Sequence, residues 1–115
     1  MKTIEDALSE IREMSGVKGV LLASTSGNHL AGEPPASAHL ETFTTMSAIL
    51  LGAAQTATKE LKDNLRYVEV KLDSSRLIVL PAGDDKLLVL EVEDGSDTDK
   101  IQAQGRVACK KISEI

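Results

Sequence analysis

The stretch from Leu40 to Lys62 constrains the fold more than any other part of this sequence. It contains no proline and is rich in alanine, leucine and other residues of high helix propensity, so it predicts one long helix. At about 100° per residue, one side of this helix carries most of the large apolar side chains, which predicts contact with a hydrophobic core. The residues on this predicted core side are Phe43, Met46, Ser47, Leu50, Ala54, Ala57 and Leu61.

The opposite side of the same helix is made of small residues. A helix side that faces solvent usually carries lysine and glutamate, so this composition predicts that a second protein surface covers it. Gly52 supports the prediction, because glycine inside a helix costs about 1 kcal/mol relative to alanine and is favoured where another backbone comes close. The residues on this side are Thr45, Ala48, Gly52 and Thr56, with Ile49 and Leu51 on its flanks.

The composition narrows the classes of protein to which the chain can belong. Its 115 residues, 42% hydrophobic and 27% charged, predict a single domain, residues 1–115, of an ordinary globular protein. A net charge of -5 and an aromatic content of 2% disfavour nucleic acids and anionic membranes as partners. The acidic N-terminal stretch, the lone cysteine and the lack of an apolar run of about 18 residues predict a cytoplasmic protein that does not insert into membranes.

The remaining segments predict two further helices and five strands. An amphipathic pattern with a Thr3 and Asp6 capping box predicts a first helix over residues 3–14. Apolar or alternating runs at residues 17–24, 29–32, 67–72, 76–80 and 86–92 predict strands, separated by turns rich in glycine, proline, serine and aspartate. A last amphipathic helix follows the acidic loop 93–97, with Asp97 or Thr98 as its cap.

This order predicts an α/β fold of the arrangement α-β-β-α-β-β-β-α. Short turns make neighbouring strands antiparallel, so the first two strands form a hairpin and the last three a meander. Joining the first strand to the fifth gives one five-stranded antiparallel sheet, with residues 29–32 and 67–72 at its edges. The long helix covers one face and the N- and C-terminal helices cover the other, since the interior strands are apolar on both sides.

The same order resembles the Roadblock superfamily, and so do two segments, GVKGVLLASTSGNHLAG near the start and ETFTTMSAILLGAAQTATKEL in the long helix. That superfamily includes a dynein light chain and the prokaryotic partners of Ras-like small GTPases, and the likeness is greatest to the prokaryotic members. The resemblance implies a homodimer built through the long helix and the third strand. It also implies that the paired long helices form a docking surface for a GTPase.

The third strand permits a more specific hypothesis. If two copies pair antiparallel about Val70, Glu69 of one copy lies opposite Lys71 of the other, and each such charge pair contributes roughly a few tenths of a kcal/mol. Pairing would also cover an otherwise open sheet edge. The alternative is that this strand is the solvated edge of a monomer.

The sequence carries no pattern typical of catalysis or of cofactor binding. His29 and His39 are too isolated to form a metal site, and the aspartates of residues 94–99 miss the spacing of a calcium loop. Cys109 has no neighbouring histidine and is expected to pack between the terminal helices. The glycines match neither nucleotide-binding motif, so we expect no enzyme, no cofactor and no metal.

The function predicted is a homodimeric adaptor or regulator that binds a Ras-like small GTPase through the long helix. Two alternatives remain open at this point, a small-molecule-sensing domain and a scaffold subunit of a dynein-type motor. The residues predicted to contact the second copy or the partner are Thr45, Ala48, Ile49, Gly52, Gln55, Thr56, Lys59, Tyr67, Glu69, Val70 and Lys71.

Overall fold

The computed structural model describes residues 3–115. They form three helices and five strands in the predicted order. The elements are α1 Ile4–Arg12, β1 Val17–Ser24, β2 His29–Gly32, α2 Leu40–Lys59, β3 Val68–Lys71, β4 Ser75–Pro81, β5 Lys86–Glu93 and α3 Thr98–Ser113. None of these helices combines the length and the apolar character needed to cross a bilayer.

The five strands form one antiparallel sheet in the order β2-β1-β5-β4-β3. This confirms that the first and fifth strands join the hairpin to the meander and that β2 and β3 are the edges. Alternate residues of the interior strands enter different cores, as their apolar character on both faces predicts. In β1, for example, Val20 and Leu22 enter one core while Leu21 and Ala23 enter the other.

The first core, named here the α1–α3 core, lies between the sheet and the two terminal helices. Its helical contribution is large and aliphatic, and the residues that supply it include Leu8, Ile11, Ile101 and Ile112. The predicted Thr3 capping box closes the N-terminus of α1, and the Asp97 side chain caps α3 by accepting from the backbone N–H of Lys100. Side-chain caps therefore define the N-termini of α1 and α3. Both helices bury their apolar side against the sheet.

The second core, named here the α2 core, lies between the sheet and α2, and it is smaller. Leu51 is the large aliphatic residue of α2 that is fully buried, and the other buried residues of this helix are Thr44 and Ser47. Leu40, Phe43 and Ala48 are half-buried beside them. Two of the three fully covered positions of α2 are therefore small polar residues.

The predicted core side of α2 was wrong by roughly a quarter of a turn. Met46, Leu50 and Leu61 are 55%, 37% and 74% exposed, whereas Leu51, placed on a flank of the opposite side, is 1% exposed. Because this helix is apolar or small almost all round, periodicity alone does not define its buried side. The helix also ends at Lys59, before the predicted Lys62, which adopts a left-handed backbone conformation with φ of 57°.

The start of α2 also differs from the prediction. The cap is the His39 side chain, which accepts from the backbone N–H of Thr42 at 3.4 Å, and Ser37 lies outside the helix. The sequence placed the cap at Ser37 or a neighbour because serine is a stronger N-cap than histidine.

Candidate interaction surface

The outward side of α2 is an exposed helix surface without charge. From residue 42 to residue 58 the helix contains no lysine, arginine, aspartate or glutamate. Within this segment Met46 and Ile49 are more than half exposed, and Leu50 is 37% exposed. The α2 outer face is defined by the exposed residues Thr45, Met46, Ile49, Leu50, Ala53 and Thr56. Exposed aliphatic side chains grouped on one helix side are typical of a protein interface.

Gly52 borders this face, and the space beside it is open. A Cβ atom placed on Gly52 would have no heavy atom within 4 Å. No backbone of the described chain approaches this glycine, so a close approach at this point requires a second molecule. Gly105, in the middle of α3, differs because its added Cβ would lie 3.3 Å from a methyl group of Leu90.

The threonine side chains near this face need few outside hydrogen-bond partners. Thr56 Oγ1 donates to the Gly52 carbonyl at 2.9 Å, and Thr58 Oγ1 donates to the Ala54 carbonyl at 2.8 Å. Hydroxyl groups that bond to the carbonyl four residues earlier are satisfied within the helix. A partner that covers this part of α2 therefore does not leave those hydroxyls unpaired.

The predicted contact residues of α2 divide into two groups. Thr45, Ile49, Thr56 and Lys59 are exposed. Ala48 packs against the α2 core, and Gln55 is half-buried. The structure thus brings the first group together on the outward side of the helix and turns the second group towards the sheet.

The predicted contact residues near β3 alternate between the sheet faces. Tyr67, just before the strand, is half-buried against the α1–α3 core, and Val70 is half-buried. Glu69 and Lys71 are exposed, and each has a partner within the chain. Arg76 Nη1 lies 3.4 Å from Glu69 Oε1, and Lys71 Nζ lies 3.1 Å from Asp94 Oδ1.

Asp94, in the loop between β5 and α3, is held ionised by this arrangement. The hydrogen bond from Lys71 and the charge of Lys71 lower the pKa of Asp94 below 3.8, and the more distant Arg76 adds to the effect. The loop therefore carries a fixed negative charge next to the edge strand at neutral pH.

The cysteine and the two histidines that were considered for catalysis or metal binding are engaged in structural contacts. Burial raises the pKa of the Cys109 thiol to about 12, so the thiolate that a nucleophile requires is not formed at neutral pH. His29 Nε2 donates to the Gly32 carbonyl at 2.8 Å, and His39 caps α2. Over residues 3–115, histidine, cysteine, aspartate and glutamate form no group of three that could hold a metal ion.

One depression on the described surface lies away from α2. It has a volume of about 490 Å³, is open to solvent, and lies between the turn after α1 and the loop before α3. Gly16 and Ser96 face each other there, and Gly16 O accepts from the backbone N–H of Glu93 at 2.8 Å. These contacts join the two connections at one end of the sheet.

Comparison with known proteins assigns this arrangement to a family. The sequence profile of the Roadblock/LC7 domain matches residues 3–91. The chain belongs to the Roadblock/LC7 family. A search of curated protein sequences gave no match.

Three solved structures share the fold of this chain. A structure described as MglB with tetrameric arrangement is 24% identical and has a TM-score of 0.85, covering 96% of this chain and 85% of that one. The gliding protein MglB from Thermus thermophilus is 24% identical, with a TM-score of 0.82 and coverage of 96% and 86%. The Roadblock/LC7 domain from Streptomyces avermitilis is 19% identical, with a TM-score of 0.80 and coverage of 94% and 92%. Likeness at these identities shows the fold.

Sequence reasoning missed several residues of the surface that this Roadblock/LC7 chain presents. Met46 and Leu50 were assigned to the core, and Ala53 was not singled out, yet all three are exposed on α2. The sequence feature that could have identified these residues is the lack of charged side chains from residue 42 to residue 58. Because this lack extends to every side of the helix, it does not indicate which side is exposed. Asp94 and Arg76 were not connected to β3, because only the folded chain brings them to Lys71 and Glu69.

Proposed function

We propose that this Roadblock/LC7 chain is a homodimeric regulator or adaptor that binds a Ras-like small GTPase in the cytoplasm. The two copies associate through α2 and β3, and the paired α2 helices provide the surface on which the GTPase docks. The observation that carries the proposal is the α2 outer face, which is aliphatic, exposed and free of charge over four helical turns. Membership of the family supports the assignment of a GTPase as the partner.

The proposed role is regulatory because the chain supplies binding surface rather than reactive groups. Its thiol is buried with a raised pKa, and its α2 outer face carries aliphatic side chains and threonines. Binding to such a face shifts the partner between two conformations only if the face binds one conformation more tightly than the other. The chain therefore acts by selecting a state of the GTPase and leaves the hydrolytic residues to that enzyme.

The first test concerns self-association. Ile49→Glu places a charge on the α2 outer face, and Val107→Glu places one on α3, where Val107 is 47% exposed compared with 56% for Ile49. Sedimentation should give wild-type protein and Val107→Glu a mass of twice 12.3 kDa, and it should give Ile49→Glu the mass of one chain. A single-chain mass for the wild type at micromolar concentration would rule out the homodimer.

The second test concerns the GTPase. The Ras-like GTPases of the source organism are purified, loaded with a fluorescent GTP analogue or with its GDP counterpart, and titrated with the chain while anisotropy is followed. At least one GTPase should bind with a preference for one nucleotide state, and the binding should be lost with Ile49→Glu and kept with Val107→Glu. If every GTPase fails to bind in both states, the proposed partner is wrong.

A further inference from the structure

The helix α3 carries an excess of positive charge in an acidic protein. The chain has a formal net charge of -5, yet α3 contains four cationic residues and a single acidic one. Lysines in the last turn of a helix interact favourably with its dipole, which accounts for Lys110 and Lys111. The dipole does not account for Arg106, which lies about two turns before the end of the helix.

Two of these cations lack an acidic partner. Lys111 Nζ lies 3.5 Å from Glu10 Oε2 of α1, whereas Arg106 and Lys110 form no ion pair with any residue from 3 to 115. Both are exposed and lie four positions apart on one side of the helix, and like charges at this spacing disfavour a helix. An anionic group placed between them would replace this repulsion by attraction.

A depression with a mainly apolar surface lies beside the two unpaired cations, and its volume is about 480 Å³. It is lined by Ala103, Arg106, Val107, Lys110, Lys111 and Glu114. A second depression, of about 200 Å³, lies between α1 and α3 and shares Val107 and Lys111 with the first. The two adjoining depressions are named here the α3 groove.

The α3 groove and the α2 outer face lie on different sides of the sheet. The helices α1 and α3 pack on one face of the sheet, and α2 packs on the other. A molecule bound in the α3 groove therefore leaves the exposed aliphatic residues of α2 uncovered. A ligand of this groove is additional to the GTPase proposed for α2.

We propose that the α3 groove binds a short acidic amphipathic helix of another protein. Such a helix lays its apolar side into a hydrophobic groove through residues spaced three and four apart. Its apolar side contacts Val107 and the apolar side chains between α1 and α3. Carboxylates on its flank pair with Arg106 and Lys110, so the charges of groove and ligand are complementary.

Two other occupants match the groove less well. A second copy of this chain would bring either its own α3, whose cations repel those of the first, or its acidic loop 93–97, which has no apolar side chain. An anionic membrane surface attracts the same cations, but interfacial binding uses tryptophan, phenylalanine and leucine. Of the residues that line the groove, the large apolar one that is exposed is Val107.

The test uses a fluorescein-labelled peptide of about 14 residues, with leucines spaced three and four apart and glutamates on both flanks. Anisotropy measures its binding to the whole chain. The wild type should bind it, and added salt should weaken the binding, because the cations of the groove are exposed. Arg106→Glu combined with Lys110→Glu should weaken binding at least about tenfold, and Val107→Glu should also weaken it.

The matched control is Lys59→Glu, since Lys59 is an exposed lysine in the last turn of α2. This variant should bind the peptide like the wild type. A second peptide, with lysine in place of each glutamate, should bind the Arg106→Glu, Lys110→Glu double variant more tightly than it binds the wild type. Such a gain also shows that the double variant is folded.

A wild-type chain that does not bind the acidic peptide, or a double variant that binds it as tightly as the wild type, would overturn the proposal. Vesicles of phosphatidylserine and phosphatidylcholine are tested in parallel. Binding to the vesicles without binding to the peptide would assign the groove to a membrane surface instead. Val107→Glu should keep self-association and GTPase binding, so failure of this proposal and failure of the proposed function are distinguishable.

Discussion

The two helical layers of this protein cover the same sheet in opposite ways. On one side, α1 and α3 bury large aliphatic residues such as Leu8, Ile101 and Ile112 almost completely. On the other side, α2 buries Leu51 with Thr44 and Ser47, while Met46 and Ile49 remain more than half exposed. Since burial of apolar area is the main source of stability, the first layer contributes most to folding, and the second leaves much of its apolar surface exposed.

The largest effect that tests this contrast comes from removing one isoleucine from each layer. Ile112→Ala should lower the free energy of unfolding by about 2–5 kcal/mol, because it leaves a cavity in the α1–α3 core. Ile49→Ala, at a 56% exposed position, should change it by less than about 0.5 kcal/mol in the monomer. Urea denaturation followed by circular dichroism in dilute solution measures both. Equal losses would mean that the two layers contribute alike to folding.

The two helical glycines provide a second comparison. Gly105→Leu should lower the free energy of unfolding by about 1–3 kcal/mol, because the new side chain has to displace Leu80 and Leu90, which already lie within 3.5 Å of an added Cβ. Gly52→Ala should raise it by about 0.5–1 kcal/mol, since alanine favours the helix and meets no neighbour within the chain. The same denaturation assay applies, and a loss of monomer stability in Gly52→Ala would contradict an open space at this position.

Thr44 sharpens the contrast further, because it places a polar atom in the α2 core. Its Oγ1 is buried and has no hydrogen-bond partner among the described residues. Thr44→Val keeps the shape and removes the unpaired hydroxyl, so it should raise the free energy of unfolding by about 1 kcal/mol. The control is Thr45→Val at the adjacent exposed position, which should stay within about 0.5 kcal/mol of the wild type. A destabilised Thr44→Val would show that this hydroxyl does have a partner.

The smallest expected effect concerns the charge that links β3 to the loop before α3. The pKa of Asp94 is lowered below 3.8 in the folded chain, so its contribution to stability is present above this value and is lost as the pH falls through the folded pKa. Asp94→Asn should therefore be slightly less stable than the wild type at neutral pH, and the difference should vanish in acid. Denaturation at a series of pH values checks this, and a difference that persists in acid would contradict the ion pair as its cause.

The sequence was sufficient for the arrangement of the sheet and insufficient for the orientation of α2. Turn residues and the apolar character of β1 and β5 determine which strands lie inside, and the capping box at Thr3 defines the start of α1. The buried side of α2 was not predictable in the same way, because polar Thr44 and Ser47 face the sheet while apolar Met46 and Leu50 face outwards. The buried side of such a helix depends on how its side chains fit the sheet and any partner. Hydrophobic periodicity along the sequence contains no information on this fit.

The candidate site could be predicted only in part, because some of its features are local in the sequence and others depend on contacts between elements. The absence of charge along the long helix is visible in the sequence, and it correctly drew attention to Ile49 and Thr45 as residues outside the core. The contacts from Asp94 to Lys71 and from Arg76 to Glu69 join residues of different elements. Such contacts depend on tertiary structure and leave no local pattern in the chain.

The hydrogen bond from His29 to the Gly32 carbonyl distinguishes the β2 edge of the sheet from the β3 edge. This bond engages an acceptor on the β2 edge within the chain, at the margin opposite to β3. A sheet that offers both margins to its neighbours grows into a filament of undefined length. With one acceptor of this margin bound by its own imidazole, β2 offers fewer free backbone groups to an added strand than an open edge of the same length.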